Sequence, residues 1–240
     1  FASAYGLMGD PILSFLIKNN SSKLFYVQHG GGYGFNKNHV GHKLEKDGCD
    51  LMYFWGTGAK NVFPTRYRER FFPRICRECI FILSSQKNEQ QIRVFTEMAD
   101  LISRKWKLKC SVCVHPDSQK VFSKYIRHGT SNRELEKAQL VVFDNIYHSL
   151  MYQRILSRRP FIVIDSDSNN YDLVNDSAQH FIYLMREAKI LVRIDKLLSK
   201  IDLCMQLAPR LAKSNFEDRA FKLLNHVLQQ PRLDELIQIK

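Results

Sequence analysis

The sequence lacks the long apolar run that a membrane-spanning helix needs. None of its apolar segments approaches the roughly 20 residues that cross a bilayer as a helix. It also lacks internal repeats and low-complexity segments, which excludes solenoid and fibrous architectures. With 240 residues and an ordinary hydrophobic content of 45%, the chain can bury the core of one large or two small α/β domains.

Acidic residues are scarce beside basic ones, because 24 Asp and Glu face 36 Lys and Arg for a formal net charge of +12. This excess favours anionic partners: nucleotide phosphates, nucleic acid or an acidic membrane face. The densest basic cluster runs from Arg66 to Arg77 and is interleaved with aromatic residues. Such a mixture is typical of single-stranded nucleic-acid binding, and a solvated linker face is the alternative interpretation.

The chain has six cysteines, and their spacing does not match that of a zinc site. The two CxxC pairs are Cys76/Cys79 and Cys110/Cys113, and the second pair lies in a predicted strand. Residues i and i+3 of a strand point to opposite faces, so they do not share a metal without a knuckle turn. We therefore expect no metal, and reduced, partly buried thiols in a cytoplasmic protein.

A glycine-rich stretch, KLFYVQHGGGYG at Lys23–Gly34, is the most distinctive segment. Its apolar start predicts a short buried strand, which runs through Gln28 and His29 into Gly30, Gly31, Gly32 and Gly34. Glycine lets a backbone approach a ligand closely, although neither G-x-G-x-x-G nor P-loop spacing is present. His29 is the candidate general base. The alternatives are a tight turn that happens to be glycine-rich and a histidine that caps it.

From Cys79 onwards, apolar segments of strand length alternate with helical patterns. Strands are predicted at 79–83, 110–114, 140–143 and 161–164, after earlier strands at 24–27 and 51–55 and a linker at 61–77. Helices are predicted at 89–106, 119–126, from Ser131 with a capping box to Glu134, and at 147–156, 178–189, 194–212 and 216–229. This alternation predicts an α/β fold with a parallel sheet covered on both faces.

Polar residues follow the predicted strands, where parallel sheets bind ligands. The pairs are Ser84-Ser85, His115-Pro116, Asp144-Asn145 and Asp165-Ser166. The segment from Asp144 to Ser149 is predicted to open a helix whose amides, with His148 and Ser149, suit a phosphate or ribose. Ordinary helix capping by Asp144 or Asn145 is the alternative.

The order of these motifs resembles a family of bacterial surface-polysaccharide transferases of the GT-B type. The resemblance rests on QHGGGYG at Gln28–Gly34, the strand ending in Trp55-Gly56, the His115-Pro116 dipeptide and the Asp144–Ser149 segment. It covers approximately residues 20 to 165, and the family is related to CDP-glycerol glycerophosphotransferases and capsule Kdo transferases. It implies a GT-B-like fold of Rossmann-like domains. Residues 1–72 would be the end of an N-terminal, acceptor-side α/β domain with its linker, and residues 73–240 the donor-nucleotide domain with closing helices.

The resemblance also implies a site and a reaction. His29 would be the catalytic base, and the donor nucleotide would be bound by Gly30, Gly31, Gly32, His115, Pro116, Asp144, Tyr147, His148 and Ser149. The enzyme would move a sugar or polyol phosphate, without a metal or other cofactor, from a cytidine nucleotide to a surface glycan or lipid-linked acceptor of lipopolysaccharide or capsule. We expect it in the cytoplasm, peripherally at the inner membrane, with no nucleic-acid partner.

Two other functions stay open at this point. A non-enzymatic nucleic-acid-binding α/β protein would use the basic cluster between Arg66 and Arg77. A different nucleotide-sugar enzyme, such as an epimerase, would need an acid-base pair near the glycine turn, for which Glu45 is the nearby carboxylate.

Overall fold

The computed structural model describes residues 25–27, 49–55, 61–62, 76–84, 87–115, 118, 121, 123–156, 159–165 and 176–207. These residues fall into two compact units. The first unit contains residues 25–62 of this set together with 176–183, and the second contains the others. The predicted domain boundary between residues 72 and 73 lies outside the described residues and stays a prediction.

The first unit contains a three-stranded parallel sheet in the order β1-β2-β3. Its strands are β1 (Phe25–Val27), β2 (Leu51–Trp55) and β3 (Asn61–Val62). The predictions of β1 and β2 are confirmed, and their register pairs Phe25 with Leu51. The prediction that residues 61–77 form only a linker was wrong, because β3 pairs with the end of β2 and Cys76 begins a further strand. A two-residue strand is too short to carry a periodic signal.

The second unit contains six parallel strands in the order β6-β5-β4-β7-β8-β9. The strands are β4 (Cys76–Ile82), β5 (Lys109–Val114), β6 (Ile126–His128), β7 (Ala138–Phe143), β8 (Phe161–Asp165) and β9 (Leu191–Arg193). The predicted parallel α/β sheet is thereby confirmed. The strand order reverses between β4 and β7, since the chain first builds β4 to β6 on one side and then β7 to β9 on the other.

The described helices are α1 (Glu89–Trp106), α2 (Asn132–Lys137), α3 (Leu150–Leu156), α4 (Asp176–Glu187) and α5 (Leu197–Leu207), with a 3-10 turn at Ile194–Lys196. The bounds of α1 agree with the prediction. At its start Asn88 and Gln91 form a capping box, which fixes where the helix begins. The capping box predicted at Ser131 is also present. The Glu134 amide donates to Ser131 Oγ at 3.2 Å, and the Ser131 amide donates to the Glu134 carboxylate at 2.8 Å.

Two helix predictions needed correction. The described residues between 119 and 126 are not helical: a turn at 124–125 leads into edge strand β6, and the Val112 amide donates to the Tyr125 carbonyl at 2.7 Å. Pairing with β5 there overrides the local pattern. The helix predicted from Tyr147 begins only at Leu150, because residues 144–149 form a turn that connects β7 to α3.

The core covers both faces of the six-stranded sheet. On one face, Phe81 lies 6.1 Å from the ring of Phe95 on α1, and Leu197 and Ile201 of α5 join the same cluster. The strand residues that alternate with this set, such as Ile80 and Val141, are also completely buried. Burial of successive residues is what a parallel sheet covered on both sides requires, as the continuous apolar strands predicted. None of the described helices is long and apolar enough to cross a membrane.

Candidate functional site

The reversal of strand order between β4 and β7 marks where a ligand crevice is expected. In open parallel sheets this crevice lies beyond the carboxyl ends of the two strands that flank the reversal. The backbone locks these ends together, since the Asp144 amide donates to the Ile82 carbonyl at 3.1 Å. The residues that follow the two strands, Ser84 and Asp144, therefore meet at this edge.

Asp144 is the centre of the polar cluster at this edge. Its side chain is 1% exposed. One carboxylate oxygen accepts from the Ser84 amide at 3.1 Å and the Ser84 hydroxyl at 2.8 Å, and lies 2.9 Å from Lys87 Nζ. The other oxygen accepts from Asn145 Nδ2 at 3.0 Å and lies 2.5 Å from His148 Nε2. Both carboxylate oxygens are therefore satisfied, as a buried charge requires.

The two nitrogen partners keep Asp144 ionised. Burial by itself raises the pKa of this carboxyl, but the hydrogen bonds and charges of His148 and Lys87 outweigh it and lower the pKa to about 2. Asp144 therefore carries its charge at neutral pH and holds both partners in place. We call Ser84, Lys87, Asp144 and His148 the Asp144 cluster.

The turn between β7 and α3 shapes one side of the cluster. The Tyr147 amide donates to Asn145 Oδ1 at 2.8 Å, which is an Asx-turn contact. The His148 ring lies 5.3 Å from the ring of Phe143, and its side chain is 11% exposed. Among the described residues, neither Asp144 nor Asn145 caps α3. The Asp144 carboxylate contacts Ser84, Lys87, Asn145 and His148, and Asn145 Oδ1 accepts from the Tyr147 amide. The capping alternative is therefore wrong for both residues.

The structure brings some of the predicted site residues together and leaves others outside its described part. Asp144 and His148 contact each other directly, and Tyr147 and Ser149 lie in the same turn. His115 is exposed directly after β5, the neighbour of β4, and therefore at the same edge of the sheet. Outside the described residues lie His29, Gly30, Gly31, Gly32 and Pro116.

Lys87 is the member of the cluster that sequence reasoning missed. It lies between β4 and α1, directly before the capping residue Asn88, and its side chain is 21% exposed. A single lysine in a polar loop has no spacing signature, although its place just past a strand end was a usable signal. An ammonium group has three N–H donors, and the contact with Asp144 uses one of them. The others can face a ligand.

The donor set at this edge suits an anion better than a cation. Its one carboxylate already faces a lysine and a histidine. Within the part of the chain that the structure describes, no group of three or more His, Cys, Asp or Glu side chains is arranged to hold a metal ion. The predicted independence of metals and other cofactors stays a prediction.

Comparison with solved structures finds the same fold in glycosyltransferases. The glycosyltransferase SsfS6 of Streptomyces sp. SF2575 matches with a TM-score of 0.52 at 9% identity, over 99% of this chain and 66% of its own. Its complex with thymidine diphosphate gives 0.51 at 9% identity, over 99% and 67%. S. aureus TarM, in complex with Fondaparinux, alpha-GlcNAc-glycerol and UDP, gives 0.50 at 12%, over 90% and 50%. No family model matches, and neither does any curated protein sequence.

These comparisons define the fold of the chain. Together with the parallel six-stranded sheet they show an α/β architecture of the GT-B glycosyltransferase type, as the sequence resemblance implied. The chain spans half the length of TarM and 66% of SsfS6. At identities of 9% to 12%, the similarity to these structures shows the fold alone.

Proposed function

We propose that this chain belongs to an enzyme that transfers a glycosyl group from a nucleotide-activated donor to an acceptor hydroxyl. The observation that carries the proposal is the Asp144 cluster, which places a partly exposed lysine and a histidine at the reversal of strand order. This is where open α/β sheets bind nucleotides. The fold that surrounds the cluster is one that glycosyltransferases share.

The leaving group of such a reaction is a nucleoside phosphate that gains negative charge as the glycosyl bond breaks. Lys87, held by the buried Asp144 carboxylate, would direct its remaining N–H donors and its charge at that phosphate. A preformed cation needs little reorganisation during the reaction, which is the main benefit of such a site. Asp144 would act as a positioning residue, because its own oxygens are taken up by protein donors.

The neighbouring residues would complete the donor site. His148, fixed by Asp144 and by the ring of Phe143, would face the phosphate or ribose. Tyr147 and Ser149 in the same turn, and His115 at the end of β5, would line the rest. On the acceptor side, the proposal keeps His29 as the base that removes the hydroxyl proton and Gly30, Gly31, Gly32 as the backbone against which the substrate lies.

The finer description follows the sequence resemblance. It makes the donor a cytidine nucleotide that carries either a sugar, whose glycosyl bond breaks, or a polyol phosphate, whose phosphoanhydride bond breaks instead with CMP as the leaving group. The acceptor would be a surface glycan of lipopolysaccharide or capsule type. The enzyme would work in the cytoplasm at the inner membrane. A nucleotide donor is supported in general terms by the neighbours, since SsfS6 binds thymidine diphosphate and TarM binds UDP.

Calorimetric titration with CMP, CDP, UDP, TDP and GDP tests the proposal. We expect one of them to bind and Lys87→Gln to weaken that binding roughly tenfold to hundredfold, because a charged hydrogen bond is lost. Lys109→Gln is the matched control, since Lys109 also faces a buried carboxylate, that of Glu78 at 3.4 Å, but lies at the amino end of β5. The control should bind as the unchanged chain does.

Two results would overturn the proposal. One is that no nucleotide binds while a single-stranded oligonucleotide does so in a salt-dependent way, as the nucleic-acid-binding alternative predicts. The other is that Lys87→Gln and Lys109→Gln bind the nucleotide equally well. Of the arginine cluster on which the alternative depends, only Arg77 lies in the described part, as an exposed residue of β4.

A further inference from the structure

A second basic feature of the six-stranded unit lies along its edge strand β9. A surface cavity of about 700 Å³ is lined there by residues 186, 189, 191–193, 196, 199, 200 and 202, and we call it the β9 cavity. Five of these residues are cationic: Arg186, Lys189, Arg193, Lys196 and Lys200. They come from the end of α4, from β9, from the 3-10 turn and from the start of α5.

Among the described residues that line the cavity, acids are fewer than cations. Of the described residues that line it, Asp202 is the only acid, and it pairs with Lys105 and accepts from Trp106 Nε1 at 2.8 Å. Asp195 contacts Arg193 at 3.1 Å, but both side chains are largely exposed, so water screens this pair. Within the described part of the chain, the side chains of Lys189 and Lys196 have no acidic partner.

The dipoles of the neighbouring helices explain the positions of only some of these cations. Arg186 and Lys189 follow the usual preference for cations at a helix carboxyl end, here that of α4. Lys196 directly precedes α5 and Lys200 lies in its first turn, where the helix dipole disfavours cations. The first turn of α5 contains no acidic residue, and Asp195 of the preceding 3-10 turn contacts Arg193. A bound anion would offset both the dipole and the mutual repulsion of the lysines.

The residues that line the cavity restrict the kind of anion that it can bind. No aromatic side chain is among the described lining residues, so bases of a single-stranded nucleic acid have nothing to stack on. Leu191 and Val192 supply a partly apolar wall, and Ser199 also lines the cavity, with its hydroxyl donating to the Lys196 carbonyl at 2.8 Å. These features suit a compact phosphate group that carries an apolar or neutral neighbour.

We propose that the β9 cavity binds a phosphate-bearing anion, either the headgroup of an anionic phospholipid or a soluble polyphosphate. The site is separate from the Asp144 cluster, because β9 lies two strands away from β7 in the sheet, roughly 10 Å at the usual strand spacing. The proposal therefore does not rest on glycosyl transfer. In the described part of the chain β9 pairs with β8 alone, so the cavity adjoins the edge of the sheet.

The test measures binding of the whole chain to tripolyphosphate by calorimetry, and to phosphatidylcholine vesicles with and without phosphatidylglycerol by sedimentation. The variant is Lys189→Glu/Lys196→Glu. The control is Lys107→Glu/Arg133→Glu, which makes the same charge change at exposed positions elsewhere. Lys107 also shares the left-handed backbone of Lys189, with φ of 48° against 55°. Thermal melts establish that both are folded.

We expect at least a roughly tenfold loss of binding in the variant and little change in the control, because each surface cation contributes appreciably to phosphate or anionic-lipid binding. If the variant loses binding only to vesicles that contain phosphatidylglycerol, the proposal is supported and the ligand is a lipid headgroup. If it loses binding to tripolyphosphate, the proposal is supported and the ligand is soluble. The proposal is overturned if neither probe binds, if the control loses as much as the variant, or if only an oligonucleotide binds.

Discussion

At the scale of single residues, Asp144 links the stability of the second unit to pH. Its pKa is about 2 in the folded chain, against an ordinary value of 3.8. A carboxyl whose pKa is lowered by folding stabilises the folded state above its unfolded pKa, and this contribution is lost as the pH falls through the folded value. The difference of 3.8 − 2 corresponds to about 2 kcal/mol at neutral pH.

Asp144→Asn should therefore lower the free energy of unfolding by about 2 kcal/mol at neutral pH, because Lys87 and His148 lose their charged partner. Between about pH 4 and pH 2 its stability should fall less steeply than that of the unchanged chain. Urea unfolding over this pH range measures both effects. Asp195→Asn, at an exposed ion pair, is the control. Parallel pH curves for Asp144→Asn and the unchanged chain would contradict this account.

Cysteine reactivity is a second property that single side chains decide. Burial raises the pKa of Cys113, and the hydrogen bond from Arg127 Nε at 2.9 Å opposes this only in part. Cys79 and Cys110 are buried as well, whereas Cys76 is exposed. Since the thiolate is the reactive form, iodoacetamide should alkylate Cys76 of the folded chain far faster than these three. Mass spectrometry of peptides measures the rates, and equal labelling of Cys113 and Cys76 would show that the strand β5 is not packed as described.

The sequence predicted Asp144 and His148 as site residues because both follow a clearly apolar strand, and the structure brings the two side chains into contact. The sequence did not show that Ser84 and Asp144, 60 residues apart, share a hydrogen bond. Lys87 has no spacing signature that distinguishes it among 36 Lys and Arg, and its place just past a strand end was the one signal that could have selected it. Which polar residue faces which is decided by strand order, and strand order is a property of the whole sheet.

At the scale of secondary-structure elements, Arg154 of α3 holds several segments together. It is completely buried, and its guanidinium donates to the carbonyls of Leu135, Ala138 and Pro160. These carbonyls belong to α2, the start of β7 and the residue before β8. Burial, and secondarily the nearby charge of Arg159, lower the pKa of Arg154 to about 9, so the group is still protonated at neutral pH.

Arg154→Met should lower the free energy of unfolding by about 3 kcal/mol, because the three carbonyls lose their donor while the buried volume is nearly kept. Arg133→Met, on the exposed part of α2, is the matched control and should change stability by no more than about 0.5 kcal/mol. Urea unfolding at neutral pH measures both. If Arg154→Met were as stable as the control, the buried network would contribute nothing to the joining of α2, β7 and β8.

Elements with strong local signals were predictable from sequence. Helix α1 was predicted from its helical apolar period, and α2 from the Ser131–Glu134 capping box. The edge strands β6 and β9 have three residues each, so their pairing with β5 and β8 comes from the sheet and not from local pattern. The late start of α3 has a similar cause, because the side chains of Asp144, Asn145 and His148 make hydrogen bonds in the turn that precedes the helix.

At the scale of the whole molecule, continuous apolar strands separated by helices were enough to predict a parallel α/β sheet, and the comparisons confirm a glycosyltransferase-type fold. Fold alone does not fix a reaction, because one architecture carries many activities. Because a reaction depends on its site, we propose that the donor nucleotide binds beyond β4 and β7, at the Asp144 cluster, and not in the basic β9 cavity.

Amide hydrogen exchange, measured in the presence of saturating CDP, UDP or TDP, tests this binding position most directly. We expect one nucleotide to slow the exchange of amides at 84–88 and 144–150, and this protection to be lost in Lys87→Gln. Amides at 186–202, along the β9 cavity, should be protected less than these two segments, and any protection there should persist in Lys87→Gln. Protection confined to 186–202, or no protection at 84–88 and 144–150 with any of the three nucleotides, would contradict the assignment of the Asp144 cluster as the donor site.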